Sequence, residues 1–200
     1  MLNHWRRYGV TGLVYIMFCK VYTAIFFPNA RLIRLPFDIR ERSRIDLGRN
    51  FTCGKYCRIE VYPDASNTNE KILVFGSNVQ VNDAVHIVGR KKVLIGNNVL
   101  IASKVFISDS NHGIYAGERQ SSPEVPPAER ELSAAPVSIE DNVWIGEFVS
   151  VLQGVTIGKG SIIGSMSVVS RSIPPYSIAV GSPARVIKQF NFNTSQWERV

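Results

Sequence analysis

The sequence predicts an all-β fold, a parallel β-helix built from hexapeptide repeats, and it does so through three observations. Six consecutive hexads keep one phase from Ile139 to Pro174, the first place of each is Ile or Val, and the fifth is small or β-branched. A helix would scatter such anchors around its surface, and an ordinary strand alternates every two residues. Short strands separated by corners satisfy this period, and stacked coils then join the anchors into one core. The anchors are Ile139, Ile145, Val151, Ile157, Ile163 and Val169.

The N-terminal segment, residues 1–44, lies outside the repeats. Its apolar run from Leu13 to Phe27 contains Lys20, and these fifteen residues are fewer than the roughly 20 that span a bilayer. No small-residue cleavage site of a signal peptide follows. Two interpretations stay open, a helix packed on the β-helix and an interfacial helix on an anionic membrane. The side chains that would hold the membrane are Trp5, Arg6, Arg7, Phe26 and Phe27.

An arginine-rich segment interrupted by Pro28 and Pro36 follows the apolar run. It is either a solvated linker or a basic rim near an acidic glycan or a lipid-linked phosphate. The formal net charge of +7 suits an anionic partner. We expect no nucleic-acid partner, because the chain carries no signature of a nucleic-acid-binding fold. The arginines are Arg31, Arg34, Arg40, Arg42 and Arg44.

Earlier hexads extend the predicted β-helix domain over residues 45–190. The polar stretch Ala65–Lys71 breaks the period and is expected to loop out of a corner. These hexads begin at Leu47, Cys53, Ile59, Phe75, Val81, Ile87, Ile95, Ile101 and Ile107.

The three cysteines do not form a disulfide framework. Cys53 and Cys57 occupy the first and fifth places of one hexad, so we expect them in the core rather than at a metal. Cysteines that form no disulfide framework suit a reduced, cytoplasmic setting. The sequence predicts no metal site.

Two segments depart from the repeat. Residues 113–136 contain four prolines and no hexads, and a loop of this length inside a compact domain is usually functional. Residues 191–200 are polar and aromatic, and they are interpreted as a tail, either a short helix or a frayed end.

Four motifs carry a resemblance to a known family. The chain resembles the hexapeptide-repeat acyltransferases, in the sugar and xenobiotic O-acetyltransferase branch that includes galactoside acetyltransferase and surface-polysaccharide O-acetyltransferases. The resemblance implies a left-handed β-helix, a homotrimer, acetyl-CoA as cosubstrate, a carbohydrate acceptor, and a long loop that covers a neighbouring subunit's active site. The motifs are I-G-N-N-V-L-I-A (95–102), S-D-S-N-H-G-I-Y (108–115), D-N-V-W-I-G (141–146) and I-P-P-Y-S-I-A-V-G-S-P-A-R-V-I (173–187).

His112 is the candidate catalytic residue. It lies where the last regular hexad meets the long loop. The resemblance implies that this histidine takes the proton of the acceptor hydroxyl as the oxygen attacks the thioester. An ordinary imidazole pKa near 6.5 suits a general base at neutral pH. His86, at the end of a hexad, is expected to face solvent or a groove.

Three residues are candidates for substrate binding. Asp109, or else a backbone carbonyl, could hold the His112 tautomer. Asn82 matches an asparagine that contacts the acceptor sugar in galactoside acetyltransferase, and a plain corner asparagine explains it equally well. Trp144 takes the outward last place of its hexad, where it would wall the thioester pocket or pack at a subunit interface.

Six further residues are expected to bind acetyl-CoA by resemblance. The backbone N–H of Glu147 is the candidate oxyanion donor, although the family often has a small hydroxyl residue there. The late coils would hold the pantetheine arm and the basic C-terminal stretch the phosphates. The other five residues are Ser165, Ser170, Arg171, Arg185 and Lys188.

The resulting functional hypothesis is acetyl transfer to a carbohydrate hydroxyl, with a surface-glycan precursor such as an O-antigen or capsule unit preferred as acceptor. The protein would be cytoplasmic, with a possible peripheral contact to the inner membrane. The alternatives are N-acetylation of a nucleotide-linked amino sugar, serine O-acetylation, and a structural β-helix module without transferase activity.

Overall fold

The computed structural model describes the backbone of residues 2–63 and 70–200, and the side chains from residue 8 onward within those ranges. The predicted membrane contacts of Trp5, Arg6 and Arg7, and most of the predicted Ala65–Lys71 loop, therefore lie outside the described residues. The helix α1 spans Leu2–Phe26.

Strands of two to seven residues make up the rest of the fold. In chain order they are β1 (Leu32–Ile33), β2 (Phe37–Arg40), β3 (Ile45–Asp46), β4 (Thr52–Cys53), β5 (Cys57–Val61), β6 (Leu73–Phe75), β7 (Gln80–Val81), β8 (His86–Gly89), β9 (Val93–Ile95), β10 (Leu100–Ile101), β11 (Phe106–Ser108), β12 (Ser110–His112), β13 (Leu132–Ala134), β14 (Val137–Ile139), β15 (Trp144–Ile145), β16 (Ser150–Val151), β17 (Thr156–Ile157), β18 (Ile162–Ile163), β19 (Val168–Val169), β20 (Ser177–Val180), β21 (Arg185–Asn191) and β22 (Gln196–Arg199).

The strands form the three faces of a left-handed prism, which confirms the predicted parallel β-helix. Sheet A has the order β1-β4-β7-β10-β15-β18-β20-β21-β22, sheet B has β19-β16-β11-β8-β5-β2, and sheet C has β17-β14-β9-β6-β3. The chain visits A, B and C in turn, so each coil as far as β17 adds one strand to every face. In the last coil sheet C continues only as the bridge between Ile157 and Ile173. Pairing is parallel along the prism until β20, where β21 and β22 add antiparallel strands to sheet A.

The core is the column of hexad anchors that the sequence predicts. On sheet A, Ile101 pairs with Ile145 and Ile145 with Ile163, and all three are buried. Cys53 and Cys57 are also buried, which confirms their predicted place in the core. Because each anchor is enclosed by anchors of the coils above and below, replacing Ile145 with Ala would cost about 2–5 kcal/mol.

Asparagines shape the corners between sheets C and A. Asn78, Asn98 and Asn142 all have φ between 56° and 60°, a left-handed conformation that asparagine tolerates better than most residues. Their side chains also bond along the prism: Asn78 Nδ2 donates to Asn98 Oδ1 at 3.1 Å, and Asn98 Nδ2 donates to Asn142 Oδ1 at 3.3 Å. These asparagines thus stack from coil to coil on the outer surface of the prism, as the hexad anchors do in the core.

The β-helix begins earlier than the sequence predicts. β1 pairs with β4 and β2 pairs with β5, so the first coil starts at Leu32 rather than at residue 45. The segment that reads as an arginine-rich linker is a strand-forming coil. Among its outward charged side chains, Arg40 contacts the Glu60 carboxylate of the next coil at 3.3 Å.

The C-terminal tail is also more ordered than predicted. Residues 185–199 form a β-hairpin of β21 and β22 rather than a helix or a frayed end. Phe190 packs edge-on against Phe192 and Trp197, with ring centroids 5.0 and 5.2 Å apart. Such aromatic contacts stabilise a short exposed hairpin.

Helix α1 packs one face on the first coil, as one of the two N-terminal interpretations predicts. Cys19 and Thr23 are buried in this contact. The hydroxyl of Thr23 accepts the Ile33 N–H at 2.8 Å, and the hydroxyl of Tyr15 donates to the Leu35 carbonyl at 2.6 Å. The helix is interrupted at Gly9, whose φ is 61°.

The apolar segment of this helix is longer than the sequence analysis counts. Tyr8–Phe26 comprises 19 residues of mean hydropathy 1.6, long and apolar enough to cross a membrane by length and composition, and only 11% of it is buried. The side chains opposite the packed face are large and exposed: Val10, Val14, Met17, Phe18, Val21 and Ile25.

Candidate active site

Most of the predicted site residues lie on the two edges of the prism that flank sheet B, and the others lie on sheet A. We call the corners leading from sheet A to sheet B edge AB, and it carries residues 82–84, 146–148 and 164–166. Edge BC, from sheet B to sheet C, carries residues 90–92, 152–154 and 170–172, and the excursion loop leaves from it after β11. Asn82, Glu147 and Ser165 therefore lie on edge AB, whereas His112 and Ser170 belong to edge BC.

A cavity of about 1030 Å³ extends over the outer surface of sheet B and contains His112. This volume matches that of small-molecule sites, which are typically about 300–1,000 Å³ and mostly apolar. Two of the predicted site residues, His112 and Ser170, line it. The lining residues are Glu60, Tyr62, Pro63, His86, Val88, Arg90, Phe106, Ser108, Ser110, Asn111, His112, Leu132, Leu152, Gln153 and Ser170.

The base of the excursion loop holds His112 at the cavity. β12 ends at His112 and pairs antiparallel with β13, which places His112 opposite Leu132. Gly113 donates its N–H to the Glu131 carbonyl at 3.1 Å, and Ser133 donates its hydroxyl to the Gly113 carbonyl at 2.8 Å. The side chain of His112 is exposed, so it is accessible to a substrate that enters the cavity.

Asp109 has a different place from the predicted one. It is fully buried, and its carboxylate accepts the backbone N–H groups of Arg90, Lys91 and Lys92, each at 2.7 Å. These bonds occupy the carboxylate and join two successive coils at edge BC. The structure does not support the expected contact of Asp109 with substrate or with His112, because the carboxylate points into edge BC and does not line the cavity.

A buried carboxylate that the sequence analysis missed lies in the same cavity. The Glu60 side chain is 3% exposed. Its Oε2 accepts from Arg58 at 2.6 Å, Tyr62 at 2.9 Å and Arg40 at 3.3 Å, and its Oε1 lies 2.8 Å from His86 Nε2. We call Arg40, Arg58, Glu60, Tyr62 and His86 the Glu60 cluster.

Opposing influences set the pKa of Glu60. Burial raises this pKa. The hydrogen bonds from His86, Arg58 and Tyr62 and the charge of Arg58 lower it by more than burial raises it, so the net shift is downward. Glu60 is therefore ionised at neutral pH. His86 faces the groove, as one of its predicted placements has it, and its ring centroid lies 5.5 Å from that of Phe106.

Trp144 lies on sheet A and is 49% exposed, as its outward place in the hexad predicts. It pairs with Leu100 on one side and Ile162 on the other, so it belongs to an outward apolar column. Within one chain this column does not line the His112 cavity. Asn82 is exposed at edge AB and likewise does not line the cavity.

The structure brings two of the predicted cofactor residues together. The Glu147 N–H donates to the Ser165 hydroxyl at 3.2 Å across two successive corners of edge AB. This N–H, the predicted oxyanion donor, thus has a partner within the chain.

The predicted cationic residues lie at the C-terminal end of the prism. Arg171 is exposed on edge BC directly after β19, and Arg185 and Lys188 belong to β21. Arg185 is exposed, and its Nη1 donates to the Ala184 carbonyl at 3.1 Å. Lys188 is half-buried and pairs with Ile178 of β20.

Comparisons with known proteins agree with this architecture. Residues 136–171 match the family described as bacterial transferase hexapeptide (six repeats). The chain is 42% identical over 195 residues to WbbJ of Escherichia coli K12, provisionally named a lipopolysaccharide biosynthesis O-acetyl transferase. The match covers 97% of this chain and 96% of that protein. The chain belongs to the hexapeptide-repeat acyltransferases.

Two other members extend the comparison. The galactoside O-acetyltransferase of E. coli K12 is 40% identical over 116 residues, which cover 58% of this chain and 53% of that protein. The crystal structure of AntD, an N-acyltransferase from Bacillus cereus, shares the fold with a TM-score of 0.66 at 22% identity, covering 83% of each chain. This hexapeptide-repeat acyltransferase is an enzyme, and it has the left-handed β-helix that the family resemblance implies.

Proposed function

We propose that this acyltransferase moves the acetyl group of acetyl-CoA to a hydroxyl of a carbohydrate, with a precursor of a surface polysaccharide as acceptor. The observation that carries the proposal is the position of His112, exposed in a cavity of about 1030 Å³ where the excursion loop leaves the β-helix. The similarity to WbbJ over nearly the whole chain supports the polysaccharide acceptor.

His112 acts as the general base. Its ring nitrogen accepts the proton of the acceptor hydroxyl while that oxygen forms a bond to the thioester carbonyl carbon. The carbon–sulfur bond then breaks, and the protonated His112 returns its proton to the leaving sulfur of CoA. An imidazole suits both steps because its ordinary pKa lies near neutral pH. Neither step requires a covalent intermediate on the enzyme.

The late coils offer a fitting surface for CoA. Phe148 and Met166 are exposed at edge AB. In a trimer, these apolar side chains of one subunit, beside Glu147 and Ser165, would contact the pantetheine arm that lies over sheet B of the next subunit. Ser170 extends the cavity towards the C-terminal end of the prism. Arg171, Arg185 and Lys188 supply positive charge at that end, and CoA phosphates favour such groups. Acetyl-CoA is the acetyl donor.

A homotrimer would complete the site. Leu100 and Trp144 expose an apolar column on sheet A, and Phe148 adds an aromatic side chain at edge AB. His112 lies beside sheet B of the same chain. If sheet A of one subunit faces sheet B of the next, Trp144 and Asn82 meet the His112 cavity of the partner. Light scattering after gel filtration tests this, and a monomer as the active species would contradict it.

The exposed face of α1 supports a peripheral contact with a membrane, with the β-helix in the cytoplasm. Val10, Val14, Met17, Val21 and Ile25 recur at the spacing of one helix face, and Phe18 adjoins them. Residues 2–26 contain no acidic side chain, and arginines crowd the adjoining first coil. An apolar face with a basic surround fits the interface of an anionic bilayer.

Flotation with vesicles of phosphatidylethanolamine and phosphatidylglycerol tests the membrane contact. We expect the wild type to float and the double variant Phe18→Ser, Val21→Ser to remain in the soluble fraction. Phe192→Ser is the matched control, because Phe192 is 63% exposed on the C-terminal hairpin. Equal flotation of the double variant and the wild type would overturn the contact.

Release of free CoA from acetyl-CoA in the presence of a glycan panel tests the central proposal. The panel contains lipid-linked O-antigen precursors, free galactosides, a nucleotide-linked amino sugar and serine. We expect acetylation of a glycan hydroxyl that falls at least about 100-fold in His112→Ala, without a change in melting temperature, because His112 is exposed. Exclusive acetylation of the amino sugar or of serine would replace the proposal, and unchanged activity of His112→Ala would refute the assigned base.

A further inference from the structure

The His112 cavity extends well beyond the coil that carries the catalytic residue. Its lining includes β11, from which the His112 segment departs, and also β8 and β5 on the N-terminal side. Strands of one sheet lie about 4.8 Å apart, so β5 lies about 10 Å from β11. If acetyl-CoA occupies the late coils next to Leu152 and Ser170, the acceptor enters from the side of β8 and β5. The Glu60 cluster lies in its path.

The Glu60 cluster is a preorganised polar group rather than a free charge. Both carboxylate oxygens of Glu60 already have partners, and the arginines Arg40 and Arg58 offset its charge. A buried carboxylate is tolerated only when it is paired and hydrogen-bonded in this way. Its role toward a ligand is therefore to fix the Tyr62 and His86 side chains that it contacts.

The side chains that the cluster presents suit a sugar ring. Tyr62 is 48% exposed, with its hydroxyl bonded to Glu60. Val88 and Phe106 add apolar surface next to His86, and Pro63 borders Tyr62. A sugar has an apolar C–H face and a polar rim, so it needs an aromatic surface flanked by fixed hydrogen-bonding groups.

We propose that Tyr62, held by the Glu60 cluster, binds a second sugar residue of the acceptor, the one adjacent to the residue that is acetylated at His112. This inference rests on the proposed function. β5 and β11 lie on either side of β8 in sheet B, so two strand spacings of about 4.8 Å each separate the two positions. A disaccharide bridges that distance and a single ring does not. The enzyme therefore recognises a piece of an oligosaccharide rather than a free monosaccharide.

The test compares matched acceptors of one and two rings. Methyl glycosides of galactose, glucose, mannose, rhamnose and N-acetylglucosamine are assayed beside disaccharide methyl glycosides that contain the same residues. We expect the wild type to prefer the best disaccharide by at least about tenfold in kcat/KM over its own monosaccharide. Tyr62→Ala should lose about tenfold on the disaccharide, mainly through KM, and change little on the monosaccharide.

Two controls separate recognition from folding. Tyr62→Phe retains the ring but loses the hydroxyl bond to Glu60, so its disaccharide preference should lie between those of the wild type and Tyr62→Ala. Phe192→Ala removes an exposed aromatic ring from the distant hairpin and should leave both acceptors unchanged. An equal loss on both acceptors in Tyr62→Ala, or no disaccharide preference in the wild type, would overturn the subsite. If no sugar of either panel is acetylated while an amine is, the proposed function itself fails.

Discussion

The hydroxyl of Tyr115 donates a hydrogen bond to the main-chain carbonyl oxygen of His112. Arg130 Nη1 in turn donates to the Tyr115 oxygen at 2.9 Å. Gly113 between them has a φ of 113°, and a Cβ added there would lie 2.5 Å from the Tyr115 hydroxyl. The start and end of the excursion loop thus close over the backbone of the candidate base, and only glycine fits at the point of closure.

This contact predicts that Tyr115→Phe lowers the rate of acetyl transfer. The variant retains the ring but frees the His112 carbonyl, so the base is held less firmly. We expect kcat to fall about tenfold, since small misplacements of catalytic groups are costly, with little change in KM. Steady-state kinetics provide the measurement. Tyr176→Phe is the control, because the Tyr176 ring packs on Phe192 at 4.9 Å, away from the cavity. Wild-type kcat in Tyr115→Phe would show that the contact is dispensable.

The three hydrogen bonds of the Asp109 carboxylate predict that replacing Asp109 strongly lowers the free energy of unfolding. In Asp109→Asn an amide NH₂ replaces one of two oxygens that together accept three backbone N–H groups. We expect a loss of about 2–4 kcal/mol in the free energy of unfolding, measured with urea. Asp83→Asn is the matched control, because Asp83 is exposed and accepts the Lys55 N–H at 2.7 Å. Its cost should be about 1 kcal/mol, and equal costs would contradict the account of edge BC.

The buried hydroxyl of Thr23 contributes to the docking of α1. Thr23→Val retains the shape of the side chain but leaves the Ile33 N–H without its acceptor. We expect a loss of about 1–3 kcal/mol in the free energy of unfolding. Thr11→Val changes an exposed threonine of the same helix and should lie within about 0.5 kcal/mol of the wild type. Hydrogen exchange at Ile33 offers a second measurement, and unchanged protection there in Thr23→Val would contradict the prediction.

The lowered pKa of Glu60 predicts how the stability of the protein depends on pH. Its pKa is lower in the folded protein than its ordinary value, so its ionised form stabilises the fold above the unfolded-state pKa. That contribution is lost as the pH falls through the folded-state pKa. The difference in unfolding free energy between the wild type and Glu60→Gln should therefore be largest near pH 7 and shrink below about pH 4.3. Urea titrations at pH 7, 5, 4 and 3 measure it. A difference that grows towards pH 3 would have the wrong sign.

The repeats were predictable from the sequence because their signal is local and periodic. Each anchor, such as Ile145 or Ile163, repeats the same apolar choice six residues later, and the stacking rule then builds the core. His112 was recognisable as a candidate because it stands where that period stops. The first coil is not predicted, because arginines crowd it and a contact such as that of Arg40 with Glu60, 20 residues away on the next coil, leaves no local pattern.

The sequence by itself determined the β-helix, its buried core and the presence of a long excursion after the Ile107 hexad. The excursion begins after Ser108 rather than at residue 113, because Ser110–His112 already pairs with Leu132–Ala134. Only the tertiary structure decided which polar residues share a cavity. Glu60 and His86 are 26 residues apart in the sequence, and they meet because they lie on adjacent coils of the prism. Asp109 stands three residues before His112, yet it turns into edge BC to bind three backbone N–H groups. A periodic pattern specifies which side chains face inward, whereas neighbours across coils depend on the length of every loop between them.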